Sequence, residues 1–328
     1  MDQRGHPPDP RGDRRPGRVA PTRPTVNGPL AEVRTAVKRF LHEHRPDRVT
    51  VAVSGGADSL ALAAVTAGLV EADAVVVDHG LQPDSARVAE RAASTCRELG
   101  LPAEVRRVEV TGSGGPEAAA RKARYAALRP ERGLVLLGHT RDDQAETVLL
   151  GLGRGSGPRS IAGMRPHDPP WGRPLLRVSR AVTEAACDEL GLTPWRDPHN
   201  EDPRYTRVRL RREVLPLLED VLQGGVADAL ARTAAHLRED NDALDELAEA
   251  FDGDRGSVDD VGRLPTALRR RVLRRWLLEE KVPELSDSHL RRVDALVSEW
   301  RGQGGVWLPG GFVARRAHGR LRVEPVQS

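Results

Sequence analysis

Residues 49–62 read VTVAVSGGADSLAL, and no other stretch restricts the fold as much. Valines alternate with smaller residues up to Val53, as in a buried strand, and Leu60-Ala61-Leu62-Ala63-Ala64 resumes with helical composition. Between them lie Ser54, Gly55, Gly56, Ala57, Asp58 and Ser59. A strand that enters a helix through so small a turn points several backbone N–H groups at one spot. The helix dipole adds to their attraction for an anion. Gly55 and Gly56 let the main chain approach a phosphate closely, and the Ser54 and Ser59 hydroxyls add donors. Neither GxxxxGK nor GxGxxG describes this turn. Asp58 is the anomaly, because a carboxylate in a phosphate cradle repels its ligand unless a cation sits between them. Asp58 therefore predicts Mg²⁺ on a polyphosphate, with Asp58 as a metal ligand.

The rest of the first two-thirds alternates in the same way. Strands are expected at Val49–Val53, Ala74–Val77, Ala103–Val110 and Leu134–Leu137. Helices are expected at Ser59–Leu69, Ser85–Leu99, Pro116–Leu128 and Arg141–Leu152, with an earlier helix from Leu30 that Pro46 stops. Short apolar strands separated by such helices predict an α/β fold with a doubly wound parallel sheet. After about residue 215 the pattern becomes helical, at 226–250, 265–281 and 288–300. The alternating, Gly-punctuated GGVWLPGGFVARRAHGRLRVEP then reads as a small β element. The expected organisation is a disordered Pro/Arg-rich tail at 1–28, a nucleotide domain at 29–218 and a smaller, mainly helical domain at 219–328. Cys96 and Cys187 are the two cysteines, neither in a CxxC pair, which argues against structural zinc, an iron–sulfur cluster or a disulfide framework. No apolar run reaches the roughly 18 residues of a membrane span and no signal peptide precedes the first strand, so a soluble cytoplasmic protein is expected.

Longer strings narrow the reading. After SGGADS come VDHGLQ at 77–82, EAAARKARYAAL at 117–128 and GHTRDDQAETVLLGLGRGSGPRSIAGM at 138–164; RPLLRVSR at 173–180 and WRDPHNED at 195–202 follow. The turn resembles the PP-loop of the ATP pyrophosphatases. Over roughly residues 30–220 the chain is similar to the bacterial tRNA(Ile)-lysidine synthases. That resemblance implies an adenine nucleotide alpha hydrolase-like, Rossmann-like sheet, with ATP and Mg²⁺ as cofactors. It also implies tRNA(Ile) with a CAU anticodon and free L-lysine as substrates. ATP adenylates the C2 oxygen of the wobble cytidine, and the lysine ε-amine then displaces AMP. Whether the chain forms a homodimer stays open.

The residues make chemical sense of such a reaction. Asp142 and Glu146 are spaced i,i+4 and Asp143 and Glu146 i,i+3, so all three can share a helix face near the carboxyl ends of the strands. A lysine substrate needs carboxylates for its ammonium group, and one must help remove a proton. Asp143 and Glu146 are the candidates for binding lysine, with Asp142 a further catalytic candidate. His139, at a strand end, is a candidate contact for phosphate or for the activated base. His79 is placed to flank the nucleotide. Arg121 and Arg154 are candidates for AMP, pyrophosphate or tRNA phosphate. RVRLR at 207–211 stands where relatives carry an RNRIR-like string, with Val208 in place of Asn; Arg207 and Arg211 remain phosphate candidates. Asp197 and Asn200 fit either a substrate-ordering loop or a turn. On the helix around Arg269–Arg275, Arg271, Arg274 and Arg275 share a face opposite Leu268, Val272 and Trp276, and are expected to meet tRNA phosphate. Two other readings compete: a PP-loop tRNA thiolation enzyme, for which paired cysteines are missing, and an ATP-sensing RNA-binding protein.

Overall fold

The computed structural model describes residues 28–80, 84–109, 116–130, 133–155 and 157–326. The expected tail, apart from Gly28, lies outside the described residues, as do Leu81 and Gln82. The chain runs α1 (Pro29–His44), β1 (Arg48–Val53), α2 (Ala57–Thr66), β2 (Glu71–Asp78), α3 (Ser85–Glu98), β3 (Ala103–Arg107), α4 (Pro116–Leu128), β4 (Leu134–Leu137), α5 (Arg141–Arg154) and α6 (Pro158–Ile161). The short β5 (His167–Asp168) and β6 (Trp171–Gly172) follow, then α7 (Arg180–Glu189). Next come α8 (Thr206–Arg209), a π turn at Leu210–Val214 and α9 (Leu215–Val221). The remainder is α10 (Val226–Glu249), α11 (Val258–Gly262), α12 (Thr266–Glu279), α13 (Asp287–Ser298), β7 (Val306–Leu308), β8 (Phe312–Ala317) and β9 (Arg320–Pro325).

The main sheet has the order β3-β2-β1-β4-β6-β5 and is parallel except for the β5–β6 pair. Val51 pairs with Ala74 on one side and Leu136 on the other, so β1 is fully flanked. Alternation sends Val49, Val51, Val53, Ala74, Val76, Leu134 and Leu136 to one face, under α1, α2, α3 and α7. It sends Ala52, Val75, Val135 and Leu137 to the other, under Tyr125 and Leu128 of α4. A sheet buried on both faces explains why its strands read as nearly continuous aliphatic runs. Cys96 and Cys187 are free and buried in the first core, and burial pushes both thiols up to about 11. They act as small packing residues. The third strand stops at Arg107, short of the expected Val110, which lies outside the described residues.

The chain order reverses between β1 and β4, whose carboxyl ends therefore flank a crevice of the kind that receives ligands in such sheets. Gly138 closes it from below: a Cβ there would lie 3.0 Å from backbone atoms of Asp58 and Ser59. The second core joins α11, α12 and α13 to the three-stranded antiparallel sheet β7-β8-β9 through Val261, Val272, Leu277, Leu296, Ala314 and Leu321. Between the two cores runs α10, which packs on α5 around Leu215, Val226 and Ala145. Arg141–Asp228 (2.8 Å), Arg165–Asp242 and Arg159–Asp245 pin it to the first part of the chain, and Arg271–Asp245 (3.1 Å) to α12. Among the described residues no helix is long and apolar enough to cross a membrane.

The close approach at Gly138 gives a local prediction. Gly138→Ala forces main chain apart and should destabilise the fold by about 1–3 kcal/mol, measurable as a lower Tm and weaker ATP binding. Gly68→Ala, where nothing lies within 4 Å of an added Cβ, should leave both unchanged.

Candidate active site at the switch point

The glycine turn is held by its own side chains. The Ser59 hydroxyl, on a residue only 6% exposed, donates to the Gly56 carbonyl (2.9 Å) and accepts from the Ser54 N–H (3.2 Å). Ser59 thus shapes the turn, and Ser54, whose Oγ lies 3.3 Å from Ser59 Oγ, is the exposed hydroxyl. Gly55 has φ +84°, and a Cβ there would sit 3.3 Å from Ala92 Cβ, so only glycine suits the position. Gly56 precedes α2 with no side-chain cap, which leaves the first-turn N–H groups, including those of Ala57 and Asp58, directed at the crevice. Trp195 N–H donates to the Gly55 carbonyl (2.9 Å) and fixes the 191–197 segment beside the turn.

Asp58 has different partners from those expected. Thr183 Oγ1 donates to Oδ1 in a short hydrogen bond, and Arg180 Nε donates to Oδ2 at 3.3 Å. Burial lifts the Asp58 pKa above its ordinary value despite these contacts. A divalent ion held directly by Asp58 does not fit this arrangement, since both oxygens already serve α7. Among the described residues no three His, Cys, Asp or Glu side chains are grouped to hold a metal. The cation that Asp58 requires is Arg180.

The same guanidinium gathers the acidic start of α5. Arg180 Nη2 donates to Asp143 Oδ1 (2.8 Å), and its Nη1 lies 3.9 Å from Glu146 Oε1. Its backbone N–H donates to Asp142 Oδ2 (2.9 Å). Asp142 therefore anchors the start of α7, which is a structural duty. Asp143 Oδ2 also accepts from the Thr140 N–H (2.8 Å) and hydroxyl (2.9 Å), closing a capping box. Burial works to raise the Asp143 pKa, but Arg180 and the Thr140 donors hold it below the usual carboxylate range. Glu146 is fully buried; Arg211 Nε donates to its Oε1 (2.7 Å) and Arg207 Nη1 lies 3.6 Å from Oε2. Oε2 itself accepts no hydrogen bond. Arg211 also reaches within 3.7 Å of Asp143, so the π turn that carries it faces this cluster.

His139 and His79 end β4 and β2, and each keeps a buried Nδ1 without a partner. Burial, reinforced by Arg124, Arg173 and Arg121 against the pull of Asp143, pushes His139 down to about 3. Burial and then Arg124 lower His79 as well. Both rings are neutral near pH 7. Arg121 is exposed, donates to the Tyr125 hydroxyl (3.3 Å) and lies over its ring.

The structure thus brings together Ser54, Gly55, Gly56, Ala57, Asp58, Ser59, Asp142, Asp143, Glu146, Arg207 and Arg211, with His79 and His139 at neighbouring strand ends. Arg154 lies eleven residues along α5 from Asp143, about 16 Å at helical rise, outside the cluster. Arg271 donates to Asp245 (3.1 Å) and Asn241 (2.6 Å) on α10, and Arg275 pairs with Glu249 (2.9 Å) and Glu279 (3.3 Å). Of the three expected RNA contacts on α12, only Arg274 has neither a hydrogen bond nor an ion pair within the described residues. Burial lowers its pKa, with Arg159 adding to the shift. The shared basic face expected on α12 is therefore largely an intramolecular brace. Asn200 N–H donates to the Asp197 carbonyl (2.9 Å) at the start of a single 3-10 turn, Pro198–Glu201. Arg180, Thr183 and Arg124 were not singled out in the sequence. Arg180 ends the RPLLRVSR string, but its spacing gives no sign of partners 122 and 37 residues away.

Residues 29–218 match the PP-loop domain family, and residues 257–322 match the TilS substrate binding domain family. The tRNA(Ile)-lysidine synthase of Mycolicibacterium paratuberculosis is 61% identical over 316 residues, covering 92% of this chain and 99% of that protein. The enzyme of that name from Rhodococcus erythropolis is 57% identical over 308 residues, covering 89% and 94%. Among solved structures, the U34-tRNA thiolase NcsA of Methanococcus maripaludis superposes with a TM-score of 0.53 at 18% identity, covering 64% of this chain and 80% of that one. This likeness extends to the fold alone. By sequence over nine-tenths of its length, the chain belongs to the tRNA(Ile)-lysidine synthase family, built on a PP-loop domain.

Proposed function

We propose that the chain makes lysidine in two steps at the β1–β4 crevice. The C2 oxygen of the wobble cytidine in tRNA(Ile) with a CAU anticodon attacks the α-phosphorus of ATP, and pyrophosphate leaves. The ε-amine of L-lysine then attacks C2, loses its proton, and AMP leaves. The observation that carries this reading is the single guanidinium of Arg180 between the PP-loop Asp58 and the α5 carboxylates Asp143 and Glu146. That contact holds the glycine turn and the α5 carboxylates side by side, which supports an ATP-dependent transfer to an ammonium-bearing substrate.

In this reading the uncapped start of α2, with Ser54, Gly55, Gly56 and Ala57, holds the pyrophosphate portion of ATP. Any Mg²⁺ would arrive with ATP rather than on a protein carboxylate, and the chemistry it would supply is neutralisation of phosphate charge. Asp143, held ionised by Arg180, attracts the lysine ammonium; Glu146, buried behind it with an Oε2 that accepts no hydrogen bond, is the second carboxylate of the group. His79 and His139 offer neutral ring nitrogens at the crevice without adding positive charge. Arg124 and Arg121 on α4 supply cations for the AMP phosphate. The division into an ATP-using unit at 29–218 and a tRNA-holding unit at 219–328 belongs to the same proposal, as does a cytoplasmic location.

With ATP, CAU-anticodon tRNA(Ile) and labelled L-lysine, the chain should incorporate one lysine per tRNA and release one AMP. Absence of lysine-dependent AMP release, or sulfur incorporation instead, would overturn the proposal. Asp143→Asn and Glu146→Gln should separate the two steps. Loss of one charge-assisted contact, about 1.5–3 kcal/mol, should slow lysine transfer about 10- to 100-fold while pyrophosphate release changes much less. Equal lysine KM and turnover in wild type and variants would reduce these carboxylates to helix and loop anchors.

A further inference from the structure

We propose that the outward face of the β7-β8-β9 sheet is a tRNA contact surface, with Trp307 stacking on an unpaired base and Arg315 and Arg322 meeting the adjoining phosphates. The proposal rests on the tRNA substrate of the preceding reading and names where that RNA is held outside the catalytic crevice.

The alternation of the three strands sorts their side chains. Val306, Leu308, Ala314, Leu321 and Val323 turn inward onto the core of α11, α12 and α13. The intervening positions, Trp307, Arg315, Arg320 and Arg322, face outward. Trp307 is 61% exposed, the surface of an indole left uncovered in the middle of a strand. It lies opposite Val313, two residues from Arg315 on the same face. Arg315 lies directly opposite Arg322 in the β8–β9 register, and both are exposed.

Like charges directly opposite across strands destabilise a sheet. Neither Arg315 nor Arg322 has an ion-pair or hydrogen-bond partner among the described residues, whereas Arg320 on the same face pairs with Asp254 (2.6 Å). The three strands contain one acidic residue, Glu324, at the far edge of the Trp307 row. A side chain at Gly305 would collide with Val313 and Arg315, so glycine keeps the space beside Arg315 clear. Uncompensated guanidinium groups beside an exposed indole are complementary to one chemistry, a polyanion with aromatic faces. Stacking and phosphate pairing are how single-stranded nucleic acid is held without sequence reading. The neighbouring cleft of about 600 Å³ along β9 is the weaker candidate, since Asp254, Glu279, Glu280 and Glu324 offset Arg255, Arg320 and Arg322 in its lining.

The test measures binding of labelled CAU-anticodon tRNA(Ile) to the full chain over a salt series. Arg315→Gln with Arg322→Gln should weaken binding about tenfold near 0.1 M salt and reduce the log–log salt slope by about 1–2. Trp307→Ala should weaken it about 5- to 100-fold with the slope nearly unchanged, because stacking is not electrostatic. The KM for ATP should stay the same, and the Arg double variant should keep or raise its Tm, since a like-charge pair has been removed. Arg34→Gln with Arg39→Gln on α1 makes the same change in net charge and should have little effect. The proposal is overturned if the sheet variants bind tRNA like wild type, or if the Arg double variant weakens binding no more than the α1 control. Self-association that depends on Trp307, with unaltered tRNA affinity, would assign the face to a second copy and overturn it equally. If wild type incorporates lysine while the sheet variants bind normally, only this surface fails; if wild type binds no tRNA, both readings fail.

Discussion

The arrangement of the site depends on Arg180. Its side chain contacts Asp58, Asp143 and Glu146, and its main-chain N–H holds Asp142. Four carboxylates from the ends of two adjacent strand–helix units repel one another in such a partly buried space unless a cation lies among them. Removing one partner of a buried ion pair typically costs about 3–5 kcal/mol, because the other is left uncompensated. The crevice is therefore assembled by α7, an element that follows the sheet in the chain and packs against α1 and α2. Asp143 and Asp58 differ because their other donors differ. Asp143 adds two Thr140 donors to a 2.8 Å contact with Arg180, whereas Asp58 has Thr183 and a longer 3.3 Å contact. The same guanidinium accordingly keeps Asp143 ionised while burial still raises Asp58.

A second set of charges governs how the C-terminal region attaches. Helix α10 sends Asp228, Asp242 and Asp245 to arginines of the sheet-bearing part, and Asp245 and Asn241 also receive Arg271 from α12. These arginines brace one half against the other. On the small sheet, by contrast, Arg315 and Arg322 face each other across β8 and β9 without such partners among the described residues. A strongly basic helix is thus a poor guide to an RNA surface until its partners are known.

What could be read in the sequence was what local chemistry determines. SGGADS is an uncapped helix entry because every feature of it lies within six residues, and the aliphatic strands follow from burial on both faces. The acidic face of α5 followed from i,i+3 and i,i+4 spacing. The cation beside Asp58 was also anticipated, but as Mg²⁺ rather than Arg180, which lies 122 residues away and leaves no trace in local spacing. Ser59 was assigned to phosphate, yet its hydroxyl closes the turn, a contact that only the folded geometry reveals. Arg271 failed for the same reason: its carboxylate partner is on a different helix, 26 residues earlier.

The most direct test of the account is single-turnover kinetics on Arg180→Gln, with pyrophosphate release and lysine-dependent AMP release followed separately and the fold checked by its thermal transition. If one guanidinium holds the PP-loop and the lysine-facing carboxylates in register, a folded Arg180→Gln chain will lose at least about a hundredfold in both steps. A folded variant that keeps either step at the wild-type rate would show that the two clusters are organised independently, and would contradict the account.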